Sequence, residues 1–284
     1  MASGKAVTKV HHVWVGSEFR PTAEEVRNMA TWKTVFPNIT QKVWTDADAA
    51  GLVQRYPDIA AFYDGLKPIQ KADILRYLVL DTHGGVYADL DYMVMRPFEV
   101  DPVKAMAVGS RPFLWKFSWN LNNCLLTTPR PGHPFWRKVI RTIPEKIDNK
   151  WKNVYNEMYV LESTGPALVR KVYMEYMKQH DDAGILPWQR FNPCFDVCGK
   201  ICDRPADGVI YGKHVSAYSW GSKTKATLRE CMCFAINYWI QLLVALFLLL
   251  AWVFRGKLYR FGTAFRKLKG RGLPSLKASF RRRR

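Results

Sequence analysis

Residues 68–97 read PIQKADILRYLVLDTHGGVYADLDYMVMRP. Ala72, Leu75, Leu78 and Val79 recur at helical spacing and form one buried stripe, while Asp73 and Arg76 are i,i+3 neighbours on another face. Gly84 and Gly85 end that helix, the first as a left-handed cap. From Val86 the period changes to two. Val86, Ala88 and Leu90 then share one face of an extended segment, and Tyr87, Asp89 and Asp91 share the other. Two carboxylates beside an apolar strand are costly to bury unless a cation compensates them. Asp89 and Asp91 therefore suit a hard divalent ion, Mg²⁺ or Mn²⁺, which keeps coordination sites for substrate phosphates.

On the N-terminal side, Val10 to Val15 (VHHVWV), closed by Gly16, has strand character, and Thr22 with Glu25 forms a capping box that opens a helix through about Trp32. Gln41 to Thr45 (QKVWT) is a second strand, and Asp46, Ala47 and Asp48 start the next helix. Such alternation predicts a parallel α/β sheet, whose ligands bind beyond the carboxyl ends of its strands. That rule puts Trp14, Gly16, Thr45 and Asp46 at the mouth of a candidate site. The chain contains neither GxGxxG nor GxxxxGK[ST], so a metal is the remaining way to neutralise a diphosphate.

The chain has 284 residues, 48% hydrophobic and 14% aromatic, a length that can bury one large core or two modest ones and a composition unlike disordered, collagenous or disulfide-stapled proteins. Its net charge of +19 is uneven: Arg255 to Arg284 hold 12 Lys/Arg and no Asp/Glu, leaving 31 basic against 24 acidic residues before them. Phe234 to Phe254, FAINYWIQLLVALFLLLAWVF, is a run of 21 residues without a charged side chain. With Tyr238, Trp239 and Trp252 near its ends and Arg255, Lys257 and Arg260 following, it reads as a membrane-spanning helix. Residues 1–9 lack the apolar stretch of a cleavable signal peptide. The expected organisation is a domain over 1–230, a transmembrane helix over 234–254 and a basic tail over 255–284 that contacts anionic lipid. Nucleic acid is not an expected partner, because the excess charge lies in the tail. The positive-inside rule places that tail in the cytosol and the body in the lumen, whereas a tail-anchored topology inverts them. Cys194, Cys198 and Cys202 admit one disulfide if the body is lumenal, and Cys231 and Cys233 are either acylation sites or buried thiols.

The block ADILRYLVLDTHGGVYADLD (72–91), with HHVWVG (11–16), VWTD (43–46) and HVSAYSW (214–220), resembles the DxD-containing glycosyltransferases of family 32, which include yeast-type α-mannosyltransferases and inositol-phosphoceramide mannosyltransferases. The resemblance covers about residues 9–222. It implies an α/β GT-A fold with a Rossmann-like mixed sheet and flanking helices, a nucleotide-sugar donor, a Mn²⁺ or Mg²⁺ cofactor, and transfer with retention. By similarity, Asp89 and Asp91 are the DxD pair, Asp91 as direct metal ligand and Asp89 also reaching the ribose or donor sugar, and His214 either completes the metal shell or is a structural histidine. Asp73 and Arg76 bind the donor sugar and diphosphate, Tyr87 lines the donor site, and Ser219 and Trp220 close over the phosphates. Trp14 is a base-stacking ring or a core aromatic, and Asp46 a donor contact or a helix cap. Asn122, Asn123, Gly165 and Pro166 shape the acceptor cleft or are plain loop residues. The implied function is a membrane-anchored glycosyltransferase of the Golgi or ER that moves mannose from GDP-mannose to a lipid such as inositol phosphoceramide. The alternatives are a protein- or polysaccharide-directed transferase using another UDP- or GDP-sugar, and a non-catalytic membrane adaptor that retains the fold.

Overall fold

A mixed sheet of six strands, in the order β3-β2-β4-β8-β7-β9, holds the N-terminal part of the chain together. The computed structural model describes residues 4–110, 121–147, 157–195, 198–202, 205–215, 238–239, 241–252 and 254–255. The elements before the site are β1 (Lys5–Ala6), β2 (Lys9–Val13), α1 (Ala23–Val35), β3 (Thr40–Trp44), α2 (Asp46–Val53), α3 (Pro57–Tyr63), α4 (Pro68–His83) and β4 (Gly85–Ala88). They are followed by β5 (Tyr92–Val94), β6 (Glu99–Val100), β7 (Ala105–Gly109), β8 (Leu121–Thr128), α5 (Pro134–Lys146), α6 (Glu157–Ser163) and α7 (Pro166–Tyr176). Then come β9 (Ala183–Leu186), α8 (Trp188–Phe191), β10 (Cys194–Phe195), β11 (Cys198–Cys202) and β12 (Gly212–His214). The chain divides into two units, Met1–Ala226 and Thr227–Arg284.

The strand and helix alternation predicted a parallel sheet, and β2 does run parallel to both β3 and β4. Beyond β4 the prediction fails. β8 is antiparallel to β4 and to β7, and parallel pairing resumes only between β7 and β9. The sheet is thus mixed, as the resemblance implied. Along β4 the side chains alternate between two cores. Val86 and Ala88 join Val10, Trp32 and Leu125 on one face, whereas Tyr87 joins Leu75, Leu78, Trp136 and Leu126 on the other. Each such large side chain contributes about 1.5–3 kcal/mol by leaving water.

The capping box at the start of α1 forms: Thr22 Oγ1 accepts the Glu25 N–H, and Glu25 Oε2 accepts the Thr22 N–H at 2.6 Å. Helix α4 is more enclosed than a single apolar stripe implies. Every residue from Asp73 to Asp81 is buried, because α2, α5, β2 and β4 all pack against it. Gly84 is not the left-handed helical cap expected. Its φ of 67° and ψ of −165° make it an extended mirror-image residue that turns the chain straight into β4. Gly85 also has positive φ, 86°, and an added Cβ there would approach Lys9 O and Cβ at 3.0 Å.

The strand ends at Ala88, so Asp89, Leu90 and Asp91 lie on a tight turn closed by Tyr92 N–H to Asp89 O at 3.0 Å, not on one face of a continuing strand.

In the second unit, residues 238–239, 241–252 and 254–255 are helical, with exposed Trp239, Leu243, Phe247 and Trp252. Residues 234–237, 240 and 253 of the expected membrane span lie outside the described residues, as do Cys231, Cys233 and 256–284. Among the described residues, no helix is long and apolar enough to cross a membrane.

Candidate active site

Asp89 and Asp91 sit where three elements converge. The DxD turn leaves β4, α4 brings Asp73 and Arg76 beneath it, and β12 pairs antiparallel with β5 so that His214 falls opposite Tyr92. The Val215 N–H donates to Asp91 O at 2.9 Å, which fixes β12 against the turn. Between β7 and β8 the register jumps: Ala107 faces Leu126 while its neighbour Val108 faces Asn122. This bulge, a device that commonly re-aims side chains near functional sites, brings Asn122 and Asn123 to the same cleft. The cleft measures about 260 Å³, with Trp14, Asp73, Arg76, Tyr87, Asp89 and Asp91 among its lining, together with Asn122, Asn123, Pro166 and His214.

Arg76 is the hub. Its Nη1 donates to Asp89 Oδ1 at 3.1 Å and to Asn123 O at 2.8 Å, and its Nη2 pairs with Asp73 Oδ1 at 3.1 Å. The guanidinium lies 4.8 Å from the Tyr87 ring centroid. Burial works against its charge, yet Asp89, Tyr87 and Asp73 together raise its pKa and hold it protonated. Asp73 is itself saturated: Asn123 Nδ2 donates to Oδ1 at 2.8 Å and Thr164 Oγ1 to Oδ2 at 3.0 Å. Burial pulls the Asp73 carboxyl up, against the pull of Arg76, Thr164 and Asn123. Tyr77 OH donates to Thr164 O at 2.8 Å and accepts from Asn123 Nδ2 at 3.3 Å, closing the network.

Asp89 divides its two oxygens. Oδ1 accepts Arg76 and the Tyr87 hydroxyl, the latter at 2.6 Å. Burial keeps the Tyr87 phenol well above its ordinary pKa, so it stays a donor. Oδ2 lies 3.8 Å from His214 Nε2, which in turn is 2.9 Å from Asp91 Oδ1. One ligand atom from each of Asp89, Asp91 and His214 thus falls within a 4.8 Å cluster. Among the described lining residues, four carboxylates, Glu25, Asp73, Asp89 and Asp91, against one guanidinium leave the cleft negative, and two carboxylate oxygens with an imidazole nitrogen form a donor set suited to Mn²⁺ more than to Mg²⁺, which prefers oxygen alone. The residues fit the expected ion.

Trp14 lines the cleft, with Nε1 donating to Glu18 O at 3.0 Å and its ring edge-on to Phe19. Asp46 does not reach the lining. It is exposed on the first turn of α2, and its Oδ2 accepts the Gly16 N–H at 2.8 Å, holding a residue with φ of 88°. Gly165 caps α7. Ser219 and Trp220 lie outside the described residues. A disulfide joins Cys194 to Cys202 across the β10–β11 hairpin.

Sequence reasoning missed Tyr77, whose sign was its i,i+4 spacing from Asp73 on α4, and Thr164, which left only a polar residue at a turn. It also missed what His11 and His12 do. Trp44 Nε1 donates to His11 Nδ1, so His11 must donate from Nε2 to Gly84 O at 3.1 Å. His12 donates from Nδ1 to Ala88 O at 2.7 Å and accepts from Gln41 Nε2. The two neutral imidazoles thus pin opposite ends of β4, and burial lowers each pKa to about 4.

Residues 22–109 match the family described as "Glycosyltransferase sugar-binding region containing DXD motif". Among curated proteins, the chain is 32% identical over 151 residues to "Mannosyl phosphorylinositol ceramide synthase CSH1" of Saccharomyces cerevisiae, covering 52% of this chain and 37% of that one. It is 25% identical over 251 residues to "Initiation-specific alpha-1,6-mannosyltransferase" of Schizosaccharomyces pombe, covering 73% and 63%. The chain therefore spans well under two thirds of the length of the first of these relatives. Among solved structures, "PaToxG Glycosyltransferase" is 15% identical with a TM-score of 0.46, covering 62% of this chain and 72% of that one. Residues 22–109, which include Asp73, Arg76, Tyr87, Asp89 and Asp91, thus carry a glycosyltransferase sugar-binding region containing a DXD motif.

Proposed function

We propose that the chain is a metal-dependent, retaining glycosyltransferase of GT-A architecture that moves mannose from GDP-mannose to a membrane lipid such as inositol phosphoceramide. The observation that carries this reading is the cluster of Asp89, Asp91 and His214 within 4.8 Å, backed by a buried, doubly paired Arg76. The named activities of the similar yeast proteins support mannose as the sugar and inositol phosphoceramide as the acceptor. The exposed apolar helix at 241–252 supports a membrane anchor, and hence a lipid acceptor held in the same bilayer at high effective concentration. A Golgi or ER membrane with the domain on the lumenal side accords with the Cys194–Cys202 bridge.

Asp89 Oδ2, Asp91 Oδ1 and His214 Nε2 would hold the divalent ion, which when bound neutralises the donor diphosphate. Arg76 spends both Nη1 hydrogens on Asp89 and Asn123 and one Nη2 hydrogen on Asp73, leaving one N–H to stabilise charge growing on the departing diphosphate. Tyr87 orients Asp89 by donating to its Oδ1. Trp14 offers a ring for the base, and the wall of Ile69, Ala72, Leu161 and Pro166 faces the acceptor. As the glycosidic bond lengthens, the acceptor hydroxyl attacks from the face the diphosphate leaves, and the leaving phosphate takes its proton. No protein base is required. Asp89 and Asp91 belong to one turn, unlike the opposed acids of a glycosidase.

The test is a screen of GDP- and UDP-sugars with Mn²⁺, scored by nucleotide release with and without membrane lipid extract. GDP-mannose should turn over, with stimulation by lipid, and Asp91→Ala should abolish release. Activity that survives in Asp91→Ala with unchanged Mn²⁺ dependence refutes the assignment.

A further inference from the structure

Five residues past Arg76 along α4, Asp81 borders a second cleft of about 350 Å³, between α3 and α5. None of its lining residues lines the cleft around Asp89 and Asp91. The Asp81 side chain is only 7% exposed and both oxygens are engaged. Tyr56 OH donates to Oδ2 at 2.8 Å, and Arg137 Nε donates to Oδ1 at 3.2 Å. Arg137 is thereby aimed through Nε, and its two Nη groups remain for another acceptor. Its guanidinium packs over Gly132, where φ is 68° and an added Cβ would come within 2.7 Å of Nη2. Glycine at that turn makes the room.

Arg55 and Arg141 line the same cleft, and neither forms an ion pair with a described residue. Asp58 is the other acid there, so three guanidiniums meet two carboxylates, one of them already spent on Arg137 and Tyr56. Pro57, Ile59, Ile140 and Pro144 give the cleft an apolar side. Planar guanidinium forks bind phosphate bidentately and hold charge at every accessible pH. We propose that this cleft is a second ligand site, in which Arg55, Arg137 and Arg141 bind the phosphate of a mono- or diester whose carbon portion rests on the apolar side. The phosphate belongs either to a small soluble ester or to a lipid headgroup. The proposal does not depend on the transferase reading.

The experiment is calorimetric titration of the full chain in a non-ionic detergent with EDTA present, which silences metal-dependent binding at the DXD cleft. The probes are inorganic phosphate, glycerol 3-phosphate and dihexanoyl phosphatidylglycerol. Saturable binding of at least one probe is expected, weakened at least tenfold in Arg141→Gln and lost in the Arg55→Gln/Arg141→Gln double variant. Both side chains are exposed, so these variants should fold. Arg170→Gln, in a separate surface depression beside Lys146 and Lys171, should change affinity less than twofold. Glycerol 3-phosphate binding as tightly as the lipid identifies a soluble ester, and binding of the lipid alone identifies a headgroup. Absence of saturable binding, binding unaltered in the double variant, or an equal loss in Arg170→Gln would each overturn the proposal.

Discussion

Replacing Arg76 by methionine removes the guanidinium from a cleft whose described lining holds Glu25, Asp73, Asp89 and Asp91, and the structure sets how much that should cost. Arg76 is 4% exposed and pairs with Asp73 and Asp89, each at 3.1 Å. Asp73 has a side chain 5% exposed, so the variant leaves a buried carboxylate supported only by Asn123 and Thr164. Removing one partner of such a pair costs about 3–5 kcal/mol, because the remaining charge is uncompensated. For a domain of this size, at about 2–4 °C per kcal/mol, that is a fall in Tm of about 6 to 20 °C. The control is Arg20→Ala, whose partner Glu18 and own side chain are both more than 70% exposed; it should cost less than about 1 kcal/mol. Differential scanning fluorimetry reads both. At the proposed reaction, losing a donor aimed at developing charge should lower kcat by about 10² to 10³-fold. An Arg76→Met protein that melts within 2 °C of the parent, or keeps more than a third of its nucleotide release, refutes the hub assigned to Arg76.

Other outcomes follow from single contacts. Thr164→Val keeps the shape of a fully buried residue but removes a donor to Asp73 Oδ2, so it should destabilise by about 1–3 kcal/mol and lower kcat more than it raises KM; unchanged kcat removes Thr164 from the network. Gly85→Ala meets a φ of 86° and Lys9 at 3.0 Å and should cost about 1–3 kcal/mol, whereas Gly51→Ala, in a helix with nothing within 4 Å of the added Cβ, should stabilise by about 0.5–1 kcal/mol. His11 and His12 stay neutral in the fold down to about pH 4, while the unfolded chain takes up protons from about pH 6.5. The unfolded state therefore binds more protons over that window, and stability should fall as pH drops from 6.5 to 4 by about 3 kcal/mol for each histidine. A Tm that stays level between pH 7 and pH 5 would contradict their neutral burial.

The elements whose local pattern decides them were readable in the chain. The Thr22–Glu25 box, the apolar face of α4 and the end of that helix at Gly84 each follow from neighbours within a few residues, and each formed, although Gly84 turns the chain with an extended mirror-image conformation instead of a left-handed helical one. What depended on distant pairing was not. The antiparallel insertion of β8 between β4 and β7 is set by tertiary contacts that leave no periodic mark. The period of two was extended through Asp91, yet the strand ends three residues earlier, at Ala88, where the Asp89 carbonyl captures the Tyr92 N–H and turns the chain. In the cleft, Asp73, Arg76, Tyr87, Asp89 and Asp91 were singled out from one block, Asp73 and Arg76 as i,i+3 neighbours and the DxD pair by its charge, with their donor-site roles implied by the family resemblance. Thr164 reaches Asp73 across about 90 residues of sequence, a relation no spacing rule encodes, whereas Tyr77 lies one turn beyond Asp73 on α4 and was overlooked because its ring reads as part of the apolar run. Asp46 shows the converse: proximity to a strand end suggested a donor contact or a helix cap, and in the structure the carboxylate holds the Gly16 backbone.

We assign Asp89, Asp91 and His214 to a metal centre that serves a nucleotide-sugar donor. Its most direct test is electron paramagnetic resonance of Mn²⁺ titrated into the parent protein, Asp91→Asn and His214→Ala, with and without GDP. The parent should bind one ion, more tightly when GDP is present, with binding lost in Asp91→Asn and weakened in His214→Ala. Equal Mn²⁺ binding by all three proteins, or binding indifferent to GDP, would rule out a metal centre at Asp89, Asp91 and His214.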